Sequence, residues 1–254
     1  MDPIITNSLM TFGAGFTGAT FAKAKGPGKA LDDIMTLVGF EKLHEFAEKK
    51  RAKREIIVQN YKESIAQNIV SIPEEHIQEP PLAIVGPALE ASKFYIEENS
   101  LREMFAKVIG LSMDDRFNDK IHPSFVEIIK QLSPHDAQVL QKIKAINLYV
   151  GSPYPSMQMV IESDSGTTTI FPLIVLFKDD ISFENNAISI NNLERLGILK
   201  IDMGRWSADD SKYIPYHENY VIQQVLNKNP EMSLEKGSFS LSDFGKNFID
   251  LCVE

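Results

Sequence analysis

The chain has very little cysteine and no surplus of positive charge. A single cysteine, Cys252, excludes an intramolecular disulfide and any metal site built from several thiolates. We therefore expect a reducing, cytoplasmic environment. The formal net charge is −9, with 26 Lys and Arg against 35 Asp and Glu, which argues against wrapping of nucleic acid over a wide positive surface.

Histidine is also sparse, and its pattern favours no metal site. The 5 histidines are scattered, without the i, i+4 pairing or the H-E-x-x-H pattern of zinc sites. The acidic turn with Asp114, Asp115 and Asp119 lacks the regular ligand spacing of a calcium loop. We predict no metal and no cofactor.

The glycine motif GAGFTG, residues 13–18, fits the letters G-x-G-x-x-G of a dinucleotide-binding loop. Such a loop needs a buried strand before it, a helix after it and an acid about twenty residues on. Polar residues interrupt the stretch before Gly13, residues 26–28 (GPG) would stop the helix, and Val38 stands near the place of the acid. We therefore reject a nucleotide site here.

Charge is absent from residues 3–22, and helical periodicity explains this stretch better. Small residues form one stripe, and bulky apolar residues form a second stripe beside it. Small residues let another helix approach closely, in a bundle or in a membrane. We predict a buried or oligomeric helix, with membrane contact as the alternative because lysines follow the stretch. The predicted contact residues are Leu9, Phe12, Gly15, Phe16 and Gly18.

A run of basic residues lies within the longest predicted helix, which extends from Phe40 to about Val70 without Gly or Pro. A run of this kind is usually a solvated face, here balanced by neighbouring glutamates. Contact with phosphate or nucleic acid is the alternative. The residues concerned are Lys49, Lys50, Arg51, Lys53 and Arg54.

Capping signals predict further helices up to residue 146. Residues Ser100–Glu103 have the pattern of a capping box, in which Ser100 and Glu103 satisfy free backbone donors. Pro123 and Pro134 stand at the first positions of two more helices. We therefore predict a helical domain over residues 1–146.

After Ile146 the pattern becomes rich in β-forming residues. MQMVI and TTTIFPLIVLF predict a hairpin with its turn at Asp164–Gly166. A helix ended by Gly197, strands at ILKID, NYVIQQVL and GSFSL, and a last helix capped by Ser242 follow. We predict an α+β protein whose second domain, residues 147–254, is winged-helix-like. Its candidate recognition helix offers only Arg195 as a base, so protein contact is favoured over a DNA-binding regulator.

Several stretches of the helical half together resemble the abortive infection alpha (Abi-alpha) family of bacterial proteins. The C-terminal segment Leu241–Gly245 also looks like the usual ending of that family. The resemblance implies an association with defence against bacteriophage, and it implies no reaction, cofactor or catalytic residue. The stretches that carry it are Glu79–Pro81, Leu101–Phe105, His122–Phe125, Ile129–Ser133 and Asp136-Ala137.

One pair of residues supports an enzymatic alternative. Arg116 and His122 are separated by five residues, the spacing seen in HEPN-type ribonucleases that need no metal. His122 would transfer protons and Arg116 would hold the phosphate. The competing interpretation is a surface arginine beside a histidine that caps a helix.

The sequence as a whole favours anti-phage defence of the abortive infection type. We expect the protein to act by self-association or through a protein partner, and we expect nucleic acid to be the less favoured partner. Membrane contact would involve the uncharged N-terminal stretch. Asp2 precedes that stretch in place of a basic segment, so export is not expected.

Overall fold

The protein is described from a computed structural model, which covers residues 51–178, 180 and 184–253. The predicted N-terminal contact helix, Lys49 and Lys50 lie outside these residues. The chain divides into two compact units: the first takes in the chain up to Pro134 together with its last four residues, and the second is His135–Asp250. The domain boundary expected near residue 146 stays a prediction.

Four helices build the first unit: α1 (Arg51–Val70), α2 (Leu82–Tyr95), α3 (Asn99–Leu111) and α4 (Ser124–Ile129). Short 3-10 helices lie at Glu74–His76 and Asp115–Phe117. Helix α3 packs against the other three helices and supplies the centre of the core. Its buried side chains include Leu101, Met104, Phe105 and Val108.

Helix α3 confirms the predicted helix but not its predicted capping box. It begins at Asn99 after Glu98, and Glu98 makes no side-chain capping bond. The carboxylate of Glu103 instead accepts hydrogen bonds from Ser64 and Arg102. Because the Arg102 side chain is buried, a carboxylate partner there outweighs a bond at the solvated end of the helix.

The start of α4 agrees with the prediction of proline at the first helical position. Pro123 has φ −54° and ψ −30°, which are helical values, and helix boundaries are uncertain by a residue or two. The residues expected to face inward, Phe125, Ile128 and Ile129, are buried.

The second unit contains a four-stranded antiparallel sheet with strand order β2-β1-β4-β3. The strands are β1 (Tyr154–Ser163), β2 (Gly166–Ile174), β3 (Leu199–Asp202) and β4 (Met232–Leu241). The predicted hairpin is confirmed, because Ser163 pairs with Gly166 across a turn of Asp164 and Ser165. Gly166 has φ +130°, a value that side chains rarely allow.

The remaining helices are α5 (Pro134–Ala145), α6 (Glu184–Arg195), α7 (Ile214–Glu218), α8 (Tyr220–Lys228) and α9 (Asp243–Cys252). A short 3-10 helix, Asp210–Tyr213, precedes α7. Tyr213 and Tyr216 pack with Met157 and Met159 in one apolar cluster, which Ile222 of α8 completes. The predicted α+β class is thus confirmed.

The strand predicted at NYVIQQVL is wrong, because this segment forms α8. The Asn219 side chain accepts hydrogen bonds from the backbone N–H groups of Val221 and Ile222, which makes it an N-cap. Apolar residues then recur at helical spacing, and four of them pack in or against the apolar cluster. The β-branched valines and isoleucine favoured a strand in the sequence, but the cap and the spacing decide. The predicted strand GSFSL is confirmed within β4.

Glycine and serine fix the corner between α6 and β3. Gly197 has φ +76°, and Ile198 N donates to Leu193 O at 2.9 Å, which closes a Schellman motif. Ser242 Oγ accepts from Gly245 N at 2.9 Å and donates to Gly197 O at 2.6 Å. The predicted Ser242 cap is confirmed, and it fastens the start of α9 to this corner.

Candidate functional site

A polar groove between α1 and α3 is the candidate site of the first unit. It encloses about 440 Å³, a volume within the range of small-molecule or peptide sites. Its walls carry only polar side chains. They are Asn60, Glu63, Ser64, Gln67, Asn68, Ser71, Arg102, Glu103 and Lys107.

Helix α1 supplies one wall through a stripe of polar residues along one face. Asn60, Ser64, Gln67, Asn68 and Ser71 follow one another at steps of three or four, so they lie above each other on the helix. The neighbouring stripe of Tyr61, Ile65 and Ile69 is buried. The same helix thus buries one face and offers the adjacent face to the groove.

Close approach of the two helices narrows the groove at one end. A Cβ atom placed on Gly110 of α3 would lie 2.4 Å from Asn68 Cβ of α1, nearer than real Cβ contacts come. Only glycine therefore permits this spacing. The Asn68 side chain is held in place because its Nδ2 donates to Ser64 O at 2.8 Å.

A hydrogen-bonded charge network forms the floor of the groove. The side chains of Arg102 and Glu103 are 8% and 16% exposed, and Arg102 Nη2 lies 3.4 Å from Glu103 Oε1. Ser64 Oγ donates to the other carboxylate oxygen. Arg102 also donates to Ile96 O at 3.2 Å and to the Asn99 side chain. The charges therefore satisfy one another in a fixed geometry.

Tyr61 lies buried behind this floor. Burial raises the pKa of its phenol above the ordinary value, a nearby Ser92 hydrogen bond opposes the shift, and the charge of Glu103 adds to it. The phenol is therefore neutral at physiological pH. On the other side of the groove, Lys107 Nζ donates to Val253 O at 2.9 Å.

The rim of the groove differs from its floor. Asn60 and Gln67 are exposed, and within the described part of the chain no hydrogen bond of their side-chain amides is recorded. Each amide offers both donors and an acceptor. The groove thus combines a rigid charged floor with available amides at its rim, an arrangement that suits binding of a polar ligand.

Arg116, a candidate catalytic residue from the sequence, is held by Asp114. Its Nε lies 2.8 Å from Asp114 Oδ1 and its Nη2 lies 2.6 Å from Oδ2, a two-point contact. The hydrogen bonds from Arg116 hold the pKa of Asp114 below its ordinary value, against the opposing effect of burial. The guanidinium therefore fixes the loop that carries it.

His122, the second candidate, lies exposed at the start of α4. Its Nδ1 accepts from Ser124 N at 3.1 Å and lies 2.6 Å from Ser124 Oγ. These contacts match those of a residue that caps a helix. In the same loop region, His76 Nδ1 lies 2.9 Å from Asp115 Oδ1.

The other predicted contact residues lie elsewhere. Arg51, Lys53 and Arg54 belong to the first turns of α1. Arg195, at the end of α6, is exposed and donates from Nη2 to Asn192 Oδ1 at 2.7 Å. Sequence reasoning missed the groove itself, although the polar stripe of α1 was its visible signal.

Searches for two further kinds of site gave no candidate. Over residues 51–178, 180 and 184–253, no group of three or more His, Cys, Asp or Glu side chains is arranged to hold a metal ion. Within the same described ranges, every helix is too short or too polar to cross a membrane.

Comparison with known proteins gave one match. The family model described as abortive infection alpha matches residues 53–252 of the chain. The search of curated proteins found no match, and neither did the search of solved structures. The matched interval contains every residue that lines the groove.

Proposed function

Since the chain belongs to the abortive infection alpha family, which implies defence of the abortive infection type, we propose that it acts in that defence by binding. Its partners would be other proteins and further copies of itself. The observation that carries this proposal is the α1–α3 groove, where available amides stand above a rigid charged floor.

The groove favours binding over catalysis for a chemical reason. Ser64, Arg102 and Glu103 are engaged with one another, while Arg116 and His122 hold their own loops. Side chains fixed in this way preorganise a surface and so lower the cost of binding. A polar segment of a partner protein is the ligand that mixed amide and charged groups suit best.

Growth after infection tests the proposal. Bacteria that express the protein are compared with an empty-vector control at a low and at a high ratio of phage to cells. We expect protection at the low ratio and collapse of the culture at the high ratio, since cells of this defence type are sacrificed. Equal growth of both strains across a broad phage panel would oppose the proposal.

Variants of the rim separate the groove from the rest of the molecule. Asn60→Ala combined with Gln67→Ala should abolish protection while the free energy of unfolding changes by about 0.5 kcal/mol or less. Gln138→Ala combined with Asn227→Ala removes two exposed helical amides outside the groove. This control pair should protect like the wild type.

The uncharged N-terminal stretch supplies the self-association or membrane contact in this account. Infection would release the helix from Leu9 to Ala22, which then associates with the membrane or with its own copies. Its motivation is the charge-free stretch followed by Lys23, Lys25 and Lys29. A protein that stays cytosolic and monomeric before and during infection would count heavily against this step.

The winged-helix-like use of the second unit is also a proposal. It is supported by α6, which runs through the Gly197 turn into β3, and by the antiparallel pairing of β3 with β4. Because Arg195 is the one basic residue of α6, protein contact suits this surface better than DNA.

A further inference from the structure

Strand β2 forms one edge of the sheet, and its two halves are protected very differently. Two bulges interrupt its pairing with β1, at Ile170 and around Pro172. Bulges and proline are the devices by which proteins prevent edge strands from pairing with other chains. The outer half of β2, Gly166–Thr169, has neither device and pairs with β1 in regular register.

The outer half of β2 also lacks charge and lies outside the core. Gly166, Thr167, Thr168 and Thr169 are all exposed, and no residue of β2 is charged. The opposite edge strand, β3, has only four residues and carries Lys200 and Asp202. β-branched residues on an uncharged edge favour addition of another strand.

The hairpin around the outer half is incomplete as a sheet. Strand β4 pairs with β1 from Met232 opposite Ile161 onward, so residues 162–167 form a ribbon of two strands. A two-stranded ribbon is only marginally stable in water. A further strand along β2 would supply the missing hydrogen bonds.

From these observations we infer that a second copy of the chain pairs with the outer half of β2, strand against strand and antiparallel about a two-fold axis. The inference deepens the self-association of the proposed function and rests on it for its biological use. In this arrangement Thr168 lies near its own copy, and threonine pairs across strands are favourable.

Charge favours a second copy as the occupant. Each chain carries a net charge of −9, so two copies are expected to meet where charge is absent. An antiparallel pair centred near Thr168 also places the two Asp164 turns at opposite ends, roughly 25 Å apart at the spacing of β-residues. Salt screens charges at that separation.

Sedimentation of the purified full chain over a series of concentrations tests the inference. We expect a reversible dimer whose Kd rises about tenfold or more in Thr168→Lys and likewise in Thr168→Glu, because like charges then oppose each other. Thr168→Val, which keeps the shape and adds no charge, should dimerise like the wild type. Mixing the lysine and glutamate variants should restore the dimer, which also shows that both variants are folded.

A monomer at every concentration, or a dimer that both charged variants leave unchanged, would overturn the inference. The two proposals fail separately. Wild-type protection of infected cells without a β2-dependent dimer removes only the strand pairing, whereas a β2-dependent dimer without protection removes only the proposed defence function.

Discussion

Gly110 of α3 and Asn68 of α1 lie so close that a Cβ atom on the glycine would be 2.4 Å from Asn68 Cβ. This contact sets the spacing of the two helices that form the groove. Gly110→Ala should therefore lower the free energy of unfolding by about 1–3 kcal/mol, since overpacking forces the helices apart. Urea unfolding measures the change.

A second substitution tests the cause. Asn68→Gly removes the opposing Cβ atom and by itself should cost about 1 kcal/mol of helix stability. In the Gly110→Ala background it should cost less, because it relieves the clash. Additive losses in the double variant would mean that the contact does not set the spacing.

The start of α9 depends on a still closer contact. A Cβ atom on Gly245 would lie 2.0 Å from the backbone oxygen of Ile198, which cannot turn aside as a side chain can. We expect Gly245→Ala to destabilise the protein by about 3 kcal/mol or more. Thermal unfolding measures it. Gly204→Ala, whose new Cβ would meet Asp202 Oδ1 at an ordinary 3.4 Å, is the matched control, and equal losses in both variants would contradict the explanation.

The sequence predicted those parts of the fold that depend on local signals. The hairpin at Asp164-Ser165, the Gly197 turn and the Ser242 cap each need only a few neighbouring residues, and all three are confirmed. The Glu103 side chain and the groove depend on partners from another helix. Ser64 is 39 positions away from Glu103, so the capping-box pattern pointed to the wrong partner.

The buried charge network under the groove should be costly to break. Glu103→Gln removes the charge that faces Arg102, whose side chain is only 8% exposed, so we expect a loss of about 1–3 kcal/mol in unfolding free energy. Glu63→Gln is the control, because Glu63 is an exposed groove residue that accepts from Gln59 Nε2 at 2.9 Å. Chemical denaturation that finds both variants equally stable would show that the network contributes little.

Asp114 should make stability depend on pH. Its pKa in the folded chain lies below the ordinary value, chiefly because Arg116 donates hydrogen bonds to it. A depressed pKa gives a contribution that is fully present above the unfolded-state pKa and disappears as the pH falls through the folded-state pKa. Asp114→Asn should thus cost about 1–3 kcal/mol at neutral pH.

The difference between the wild type and Asp114→Asn should shrink steadily as the pH falls below about 5. Unfolding curves at several pH values provide the measurement. Asp119→Asn alters an exposed carboxylate two residues after Phe117 in the same region and should have little effect throughout. A difference for Asp114→Asn that is constant with pH would rule out the ion pair as its source.

His122 offers the sharpest distinction between binding and catalysis. Asparagine is a good N-cap, so His122→Asn should keep the bond to Ser124 N while it removes the only group there that could transfer protons. We expect this variant to fold like the wild type and to protect cells fully. His122→Ala, which loses the bond, should be less stable by about 1 kcal/mol.

The most direct test of defence by binding is the number of phage released per infected cell at a high ratio of phage to cells. We predict that cells with the wild type or His122→Asn die with little release, whereas empty-vector cells die and release phage in full. Release equal to the vector control across a broad phage panel would contradict defence of this type. Restored release in His122→Asn alone would contradict binding as the mechanism.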